Sequence, residues 1–500
     1  MTILENTSPA WKVPPGDGEI LIWPDPQTLL HQTRENHRLL LSATPAVQNL
    51  PACELRRHAR QWIGHAEEAQ PLIGTGHQVE LIHSGVWAKD VLINVLANRL
   101  SGSAAHFAVD TDAPKHLQLR FPGDSLPITD DPVLTTADWC GLLQAPTPAH
   151  LKHLETSFAK ASAAWPFRPV LPDFFTCLRQ LIPEAADLPA PLTNAMHQLD
   201  GSLGLRHHLF LVSPVWQSPA YLAFAHHILA RAESFSHAYN STLRAYRREH
   251  GIGNPGRPWP DLRSDPDCCE VPFWLDLVGQ SSRHRACIVR IGNQWALRLP
   301  GHADFPLDPS AGAFAAADEL GRFLSSQRAR LSPRALTLTA FIRLFLVDQF
   351  VHGIGGGRYD RITDRLIGTW FGIVPPAFSV TTATLLFPFA SSQPRVDVCG
   401  LLTEGRRLRH AWSDPEKMRL VRAIAAAPRK SLERQWLFHE LHRRLTEQLD
   451  RGAYKEWQRR LDGARKLAQD QQDVFDRELF YAIQPQDRLR SVITRYNAEF

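Results

Sequence analysis

The sequence predicts an α/β protein with a Rossmann-like parallel-sheet core, a small strand-rich insertion and a C-terminal α-helical coiled-coil hairpin. A strand–helix–strand pattern runs through residues 71–109, and hairpin signals occur at about residues 265–300. After residue 414 the chain loses proline and glycine and becomes rich in Arg, Gln, Glu and Leu. Because parallel strands need a crossover connection, the first pattern implies a parallel sheet.

Composition limits the class of protein. The chain has 500 residues, of which 44% are hydrophobic and 21% charged, as in ordinary globular proteins. A chain of this length is expected to form about two to four structural units. The formal net charge of +4 is small for this length, so it does not indicate binding to nucleic acid.

Cysteine usage and the N-terminal residues point to a cytoplasmic protein. The seven cysteines are scattered without a Cys-x-x-Cys pair, so neither a zinc ribbon nor a disulfide scaffold is predicted. The first residues lack the basic patch and apolar run of a signal peptide. No segment approaches the roughly 18 apolar residues of a membrane span. We expect a small-molecule substrate, no nucleic acid and no membrane.

Changes in composition along the chain predict three regions. Residues 1–69 begin with a proline-rich stretch and continue at helical spacing, so a helical and irregular segment is expected. Residues 70–413 are expected to form the core, which includes the strand-rich insertion. Residues 414–500 are expected to form the coiled coil, because Leu437, Leu441 and Leu445 recur on one helical face.

The first candidate site is the segment Gly74–Gln78, which lies between an apolar run and an amphipathic helix beginning near Ser84. Glycine allows a tight turn, and free N–H groups at the start of a helix bind anions. We therefore predict a strand-to-helix loop that holds an anionic group of a substrate or nucleotide; a structural turn is the alternative. The residues expected to bind here are Gly74, Gly76, Gln78 and Lys89.

Two histidines and an aspartate are the candidate catalytic groups. His77 and His83 lie on or beside this loop, and Asp112 follows the next predicted strand together with Asp110. Ligands of parallel sheets bind beyond the carboxyl ends of the strands, where these residues are expected. His77 or Asp112 is expected to act as a base, while Asp110 and His116 contact the substrate. A capped turn is the equally favoured interpretation of the two acids, and no metal is assigned.

The second candidate site is the glycine-rich segment 352–360. Four of the five residues 353–357 are glycines, which is costly in backbone entropy unless the backbone must approach a ligand closely. We therefore predict a ligand-facing loop, followed by a helix from Tyr359. The residues expected to contact the ligand are His352, Gly353, Gly355, Gly356, Arg358, Tyr359 and Asp360.

The order of these segments resembles the cysteine-adding enzymes (cysteine ligases) of bacillithiol biosynthesis over residues 70 to 500. The run from Gly74 to Trp87 resembles the family's Gly-Gln-Gln loop and the positions that follow it. The strand that ends at Asp112 resembles the family's strand with an acidic end. The segment from Gln484 to Leu489 is similar to the Pro-Gln-Glu-Arg close of the family.

The resemblance implies an enzyme that joins cysteine to a glucosaminyl-malate-type acceptor and has a nucleotide-accepting pocket. The cofactor is not fixed by the sequence; ATP or ADP is the expectation, because amide formation needs an activated carboxylate. The chain is a divergent member, since His77 replaces the first Gln of the loop and Arg358 stands where the family has Glu. We therefore expect the fold to be shared more closely than the substrate.

Two other functions are compatible with the sequence. The first is a nucleotidyl or adenylyl transferase that uses the Gly74–Gln78 loop and His83, because His83-Ser84-Gly85 resembles part of the His-x-Gly-His element of such enzymes. Val86 replaces the second histidine of that element. The second is a non-catalytic protein whose coiled coil forms a homodimer or binds a partner.

Overall fold

The chain folds into two compact units. The computed structural model describes residues 11–65, 69–266, 268–278, 283–292, 294–388, 397–411, 414–470 and 474–500. The first unit comprises Met1–Leu385 together with Arg477–Phe500, and the second comprises Leu386–Asp476. This division differs from the three expected regions, because the N-terminal region belongs to the first unit and the chain returns to that unit at its end.

The strands all belong to the first unit. They are β1 (Ile20–Trp23), β2 (Ala46–Val47), β3 (Leu50–Pro51), β4 (Leu72–Gln78), β5 (Ser103–Val109), β6 (Gln118–Phe121), β7 (Asp124–Pro127), β8 (His208–Leu211), β9 (Ser264–Asp265), β10 (Cys268–Leu277), β11 (Arg283–Ile291), β12 (Gln294–Arg298), β13 (Phe305–Pro306), β14 (Ala329–Pro333), β15 (Gln349–His352) and β16 (Ser379–Ala383).

Helices occur in both units, with α13 to α16 in the second. They are α1 (Pro26–Leu41), α2 (Ala52–Trp62), α3 (Ser84–Leu100), α4 (Pro148–Ser162), α5 (Leu171–Leu181), α6 (Pro189–Leu203), α7 (Val212–Val215), α8 (Pro219–Leu229), α9 (Ala232–Glu249), α10 (Ala313–Ser326), α11 (Ala335–Phe341), α12 (Ile354–Leu366), α13 (Val398–Arg409), α14 (Pro415–Ala426), α15 (Leu432–Glu447), α16 (Arg451–Asp470) and α17 (Gln486–Glu499).

A mostly parallel sheet forms the centre of the first unit and confirms the predicted α/β class. In the described part of the chain it has six strands in the order β1-β16-β15-β4-β5-β8. All neighbours pair in parallel except β1, which pairs with β16 in antiparallel fashion. Strands β5 and β8 are added on one side of β4. The chain then crosses to the other side of β4, where β15 and β16 are added, so the order of strands reverses between β4 and β15.

The predicted anion-binding loop at Gly74–Gln78 is wrong, because these residues form the second half of β4. Gly74 lies between Phe350 of β15 and Ala105 of β5, and a central strand directs its N–H groups to its two neighbours. A Cβ atom at Gly74 would lie 2.4 Å from Cγ1 of Val347. Glycine is therefore needed here for close packing of a strand rather than for a turn.

Helices cover both faces of this sheet. Successive residues of β5 point to opposite faces. Phe107 packs into a large apolar core that includes residues of α2 and α8, such as Leu55 and Phe224. The neighbouring His106 points the other way and meets Asp90 of α3. The predicted helix beginning at Ser84 is thus confirmed, and it lies on the face opposite the large core.

A second, antiparallel sheet corresponds to the predicted strand-rich insertion. Its strands lie in the order β13-β12-β11-β10-β14, with β9 beside β10. Ile291 pairs with Gln294, so the hairpin predicted at Gly292 is present. The sheet extends beyond the expected residues 265–300, because β14 also pairs with β10.

The second unit consists of helix pairs that differ from the predicted hairpin. Leu437, Leu441 and Leu445 of α15 form a small buried cluster with Leu420 of α14. The next helix, α16, lies along α13, where the Trp457 indole donates to the carbonyl of Leu401 at 2.6 Å. The leucine face of α15 is therefore covered by α14.

A buried carboxylate, Asp348, joins two helices to the central sheet. Its Oδ1 accepts hydrogen bonds from Arg56 at 2.6 Å and from His37 at 3.0 Å. Its Oδ2 accepts from Arg60 at 3.0 Å and from the Leu72 N–H at 2.7 Å. Burial alone would raise the pKa of Asp348, but Arg56, His37 and Arg60 hold it well below its usual range. The carboxylate thus fixes α1, α2 and the starts of β4 and β15 relative to one another.

Replacing Asp348 with alanine is expected to lower the free energy of unfolding by about 3–5 kcal/mol, because two buried arginines lose their counter-ion. Asp318→Ala is the matched control, since Asp318 forms an exposed pair with Arg322 and its loss is expected to cost about 0.5 kcal/mol or less. Chemical unfolding of both variants measures the difference. Equal, small losses in the two variants would contradict the role given to Asp348.

Candidate functional site

A cleft of about 290 Å³ opens at the carboxyl end of β4. We call it the His77 cleft. It is lined by His77, Gln78, Glu80, Leu81, His83, Val86, Lys115, His116 and Glu478. A neighbouring cleft of about 260 Å³ shares three of these residues as walls, and Arg120 and Phe480 extend it. The two clefts together lie where ligands of parallel sheets bind.

Hydrogen bonds along the connection from β4 to α3 shape the His77 cleft. The Gln78 side-chain amide donates to the carboxylate of Asp112, which follows β5. The Leu81 N–H donates to the carbonyl of His116 at 3.2 Å. Nδ1 of His83 accepts from the Gly85 N–H at 3.1 Å and caps α3. Predicted site residues from two strand ends are thereby brought together.

The centre of the cleft is a pair formed by His77 and Glu80. Nδ1 of His77 lies 3.1 Å from Oε1 of Glu80 and 3.3 Å from the carbonyl of Gln78. Both partners are acceptors, which places the ring proton on Nδ1 and leaves Nε2 as an acceptor. Burial, together with the nearby Lys89, lowers the pKa of His77 well below its usual value, so the imidazole is neutral.

Glu80 is a buried carboxyl group with an incomplete set of hydrogen bonds. Its residue is 4% exposed, and among the described residues its Oε2 has no hydrogen-bond partner. Burial raises the pKa of Glu80 to about 7, although Lys89 and Lys115 act in the opposite direction. A carboxyl group that titrates near neutrality and borders a cleft is typical of acid–base sites.

Lys89 belongs to α3 and lies near His77 and Glu80. It is buried, and its Nζ donates to the carbonyl of Gly76 at 2.7 Å. Burial lowers the pKa of Lys89 to about 8, while Asp90 and Glu80 act to raise it. Glu80 and Lys89 therefore both change protonation close to neutral pH.

A buried polar network fixes the helix that carries Lys89. Asp90 lies 2.6 Å from Nδ1 of His106 on β5. The Trp87 indole and the Tyr481 hydroxyl both donate to Asp200, at 2.8 and 3.0 Å. The Tyr481 ring also stacks on Trp87 at 5.3 Å. The segment after residue 477 is thereby held against α3, which brings Glu478 to the cleft.

The structure separates the two predicted acids. Asp112 borders the His77 cleft through Gln78 and also accepts from the Ala113 N–H at 2.9 Å. Asp110 is buried and accepts from the N–H and hydroxyl groups of Ser213. The expected contact of Asp110 with substrate is therefore wrong, because this carboxyl is occupied by the start of α7.

The predicted loop at 352–360 is also wrong, because α12 already begins at Ile354. His352, the last residue of β15, is buried, and its Nε2 lies 2.9 Å from the carboxylate of Asp360. Arg343 binds the same carboxylate from the other side. The predicted ligand contacts of His352 and Asp360 are replaced by an internal ion cluster outside the His77 cleft.

Two glycines at the start of α12 have no packing role. A Cβ atom at Gly353 or Gly355 would meet no atom within 4 Å, and neither has a positive φ. By contrast, a Cβ atom at Gly356 would lie 2.8 Å from Nδ1 of His352. Glycine at 353 and 355 therefore leaves the first N–H groups of α12 accessible, which suits an anionic ligand.

Arg358 and Tyr359 lie on the exposed side of α12. Arg358 donates to the carbonyl of Trp11 at 3.1 Å, and the Tyr359 ring lies edge-on to Trp259 at 5.2 Å. Tyr359 remains 39% exposed. Both side chains are thus available to a ligand at the start of the helix.

Sequence reasoning missed Glu80, Lys115 and Glu478. The available signal for Glu80 was an acid flanked by apolar Val79 and Leu81 directly after a strand, which predicts a buried charge. Glu478 gives no local signal, because it reaches the cleft only through the return of the chain to the first unit.

Replacing Glu80 with glutamine is expected to make stability less dependent on pH. The carboxyl has a pKa of 4.5 when unfolded and about 7 when folded, so the folded protein is stabilised by protonation. Wild-type protein therefore loses stability as the pH rises through about 7, whereas the neutral variant does not. Between pH ~4 and ~8, the free energy of unfolding of the variant should rise by about 1–3 kcal/mol relative to that of wild type.

Unfolding of both proteins across this pH range measures the gain. Glutamine still accepts the hydrogen bond from His77, so the comparison isolates the charge. The exposed change Asp318→Asn serves as the control, for which we expect a difference from wild type that varies little with pH. A gap between wild type and Glu80→Gln that stays constant with pH would contradict the raised pKa.

No family model matches the chain, and no curated protein is significantly similar to it. Among the described residues, no cluster of three or more His, Cys, Asp or Glu side chains is arranged to hold a metal ion. None of the described helices combines the length and apolar character that crossing a bilayer requires.

Proposed function

We propose that this protein is a ligase-like enzyme that forms a carbon–nitrogen bond on a small molecule. The substrates proposed are cysteine and a glucosaminyl-malate-type acceptor, with ATP as co-substrate. One observation carries the proposal: a buried carboxyl group, Glu80, pairs with His77 and titrates near neutrality in a cleft at the end of the central strand.

The order of strands supports a Rossmann-like core. In such sheets ligands occupy the crevice at the point where the strand order reverses. Here that point lies between β4 and β15. The His77 cleft opens at the end of β4, and the exposed glycines of α12 follow the end of β15, so both proposed subsites border the same crevice.

The pair of Glu80 and His77 fits the proton transfer that amide formation requires. The amine nitrogen attacks the carbonyl carbon of an activated carboxylate and a C–N bond forms. The bond from that carbon to its phosphate or nucleotide oxygen breaks, and the leaving group keeps the electron pair. The proton lost by nitrogen passes to the Glu80 carboxylate, since burial makes His77 the weaker base of the pair. A base with a pKa near the working pH is efficient in this role.

Two lysines supply positive charge to the same cleft. Lys89 is buried beside the pair, and Lys115 is exposed at the cleft wall. Charge that develops on the carbonyl oxygen and on the leaving phosphate is stabilised by such groups when water is excluded. Both lysines also draw anionic substrates toward the cleft.

The start of α12 is the proposed position of the nucleotide phosphates. Accessible N–H groups and the helix dipole favour negative charge at a helix N-terminus. Gly353 and Gly355 allow a ligand to approach this backbone closely, since no side chain covers it. ATP would supply the leaving group for the reaction in the neighbouring cleft.

Purified protein incubated with cysteine, glucosaminyl-malate and ATP is expected to give the cysteine amide, detected by mass spectrometry. Glu80→Gln should lower kcat by about 100- to 10,000-fold, because glutamine takes up no proton. His77→Gln should lower kcat less, because His77 positions Glu80 through Nδ1. His302→Ala is the control, since this exposed histidine lies outside the cleft, with its Nδ1 2.7 Å from Oε1 of Gln327. Its activity should match wild type.

Two outcomes of this assay count against the proposal. Absence of the amide product, with an unchanged thiol pool in a deletion strain, would remove the substrate assignment. Release of pyrophosphate from ATP without C–N bond formation would instead assign adenylyl transfer to another small molecule.

Gly355→Ala is expected to separate a structural role of glycine from a binding role. Alanine fits here without a clash and favours the helix, so the free energy of unfolding should rise by about 0.5–1 kcal/mol. The added methyl group should weaken ATP or ADP binding measured by calorimetry. Gly201→Ala in α6 is the matched control, because a Cβ atom there also meets no neighbour. If both variants bind the nucleotide with equal affinity, the nucleotide phosphates do not bind at the start of α12.

A further inference from the structure

Two cysteines lie side by side on neighbouring strands of the second sheet. Cys268 of β10 is opposite Val289 of β11, and Cys287 is opposite Glu270. Cys287 and Val289 are two residues apart, so both point to the same face as Cys268. The two cysteines are therefore diagonal neighbours. Both are partly exposed.

The thiol pair borders a positively charged cleft of about 570 Å³. Its walls include the guanidinium groups of Arg285, Arg290 and Arg298, and no carboxylate occurs among the described lining residues. Arg298 reaches Asp304 at 3.2 Å and Arg285 reaches buried Glu270 at 3.4 Å. Arg290 is exposed and forms no ion pair within the described residues, so it supplies the excess charge. An excess of positive charge in a concave surface raises the local concentration of anions.

The two thiols are not equivalent. Burial raises the pKa of Cys287 to about 12, and the neighbouring sulfur of Cys268 adds to the effect. Cys287 thus keeps its proton at neutral pH. Because the thiolate is the reacting form of cysteine, attack on a disulfide falls to Cys268, and Cys287 completes the reaction.

We propose that Cys268 and Cys287 form a reversible redox modification site that reacts with the disulfide of an anionic low-molecular-weight thiol. The Cys268 thiolate attacks one sulfur of that disulfide, its S–S bond breaks, and one small thiolate leaves. Cys287 then loses its proton and attacks the sulfur of Cys268, which releases the second small thiolate. Two protein thiols are oxidised, one small disulfide is reduced to two thiols, and the two protons go to the leaving thiolates.

The spacing of the pair favours reversibility. Diagonal neighbours in an antiparallel sheet lie roughly 7–8 Å apart, whereas a relaxed disulfide joins Cα atoms separated by less than about 7 Å. The strands must shift to close the bridge, so the bridge is strained and more easily reduced than a structural disulfide. The site lies on a sheet separate from the His77 cleft, and it does not depend on the proposed ligase activity.

The test compares two disulfides on the full-length protein: oxidised glutathione, which is anionic, and cystamine, which is cationic. After reaction with oxidised glutathione, the mass of the protein is expected to fall by two hydrogens. Peptide maps taken without reductant should show a disulfide between Cys268 and Cys287. In the Cys287→Ser variant, the reaction should stop at a glutathione adduct on Cys268. Cys269→Ser is the matched control, because its buried sulfur faces Ser236 at 3.2 Å, and the link should still form.

Charge at the cleft is tested with the double variant Arg290→Gln, Arg298→Gln. Its reaction with oxidised glutathione should slow about tenfold relative to its reaction with cystamine. Exposed Cys399 in the second unit provides an internal reference for a cysteine without this cleft. The proposal is overturned if no Cys268–Cys287 link forms in folded wild-type protein, or if the variant reacts with both disulfides at wild-type rates.

Discussion

The carboxylate of Asp348 is the interaction on which the central sheet depends. It receives hydrogen bonds from α1, from α2 and from the first residue of β4, and it immediately precedes β15. The register that follows sets Gln349 opposite Ile73 and Val351 opposite Thr75. The two strands start together, but β15 ends at His352 while β4 continues to Gln78. One buried anion therefore sets the register of the two strands that border the crevice.

Buried charges in the first unit fall into two kinds. Asp276 is typical of the first, since Arg283, Arg330 and Ser332 surround its carboxylate. Such clusters offset the cost of burial by pairing every charge. Glu80 belongs to the second kind, because it lines the cleft and its buried Oε2 has no hydrogen-bond partner in the described residues. Unsatisfied buried polar groups are rare in folded proteins and need a reason, and a ligand supplies one.

The sequence was sufficient to predict the parallel sheet, the helix from Ser84 and the strand-rich insertion, because each rests on a local period or turn signal. The role of Gly74 was misjudged. Gly74 and Gly355 look alike in sequence, yet the first packs against Val347 and Phe107 while the second meets open space. The difference depends on neighbours distant in the chain, which no local pattern reports.

The candidate site shows the same limit. His77 and His83 were found because they adjoin a strand end, and the structure brings them into one cleft. Glu80 was missed because its effect arises from burial, which follows from packing rather than from spacing. The predicted ligand contact of His352 was not anticipated to compete with an internal contact. His352 pairs with the carboxylate of Asp360, and Arg343, which lies on another element, pairs with the same carboxylate.

The return of the chain to the first unit has a consequence for the order in which the site is made. The segment after Arg477 forms a bridge from Phe480 to His83, and the Tyr481 N–H donates to the carbonyl of Ile82 at 3.0 Å. Chains are synthesised from the N-terminus, so the central sheet is complete on the ribosome before this wall exists. The whole second unit must be translated before the cleft can close. The wall that carries Glu478 is thereby added only after the second unit has been translated.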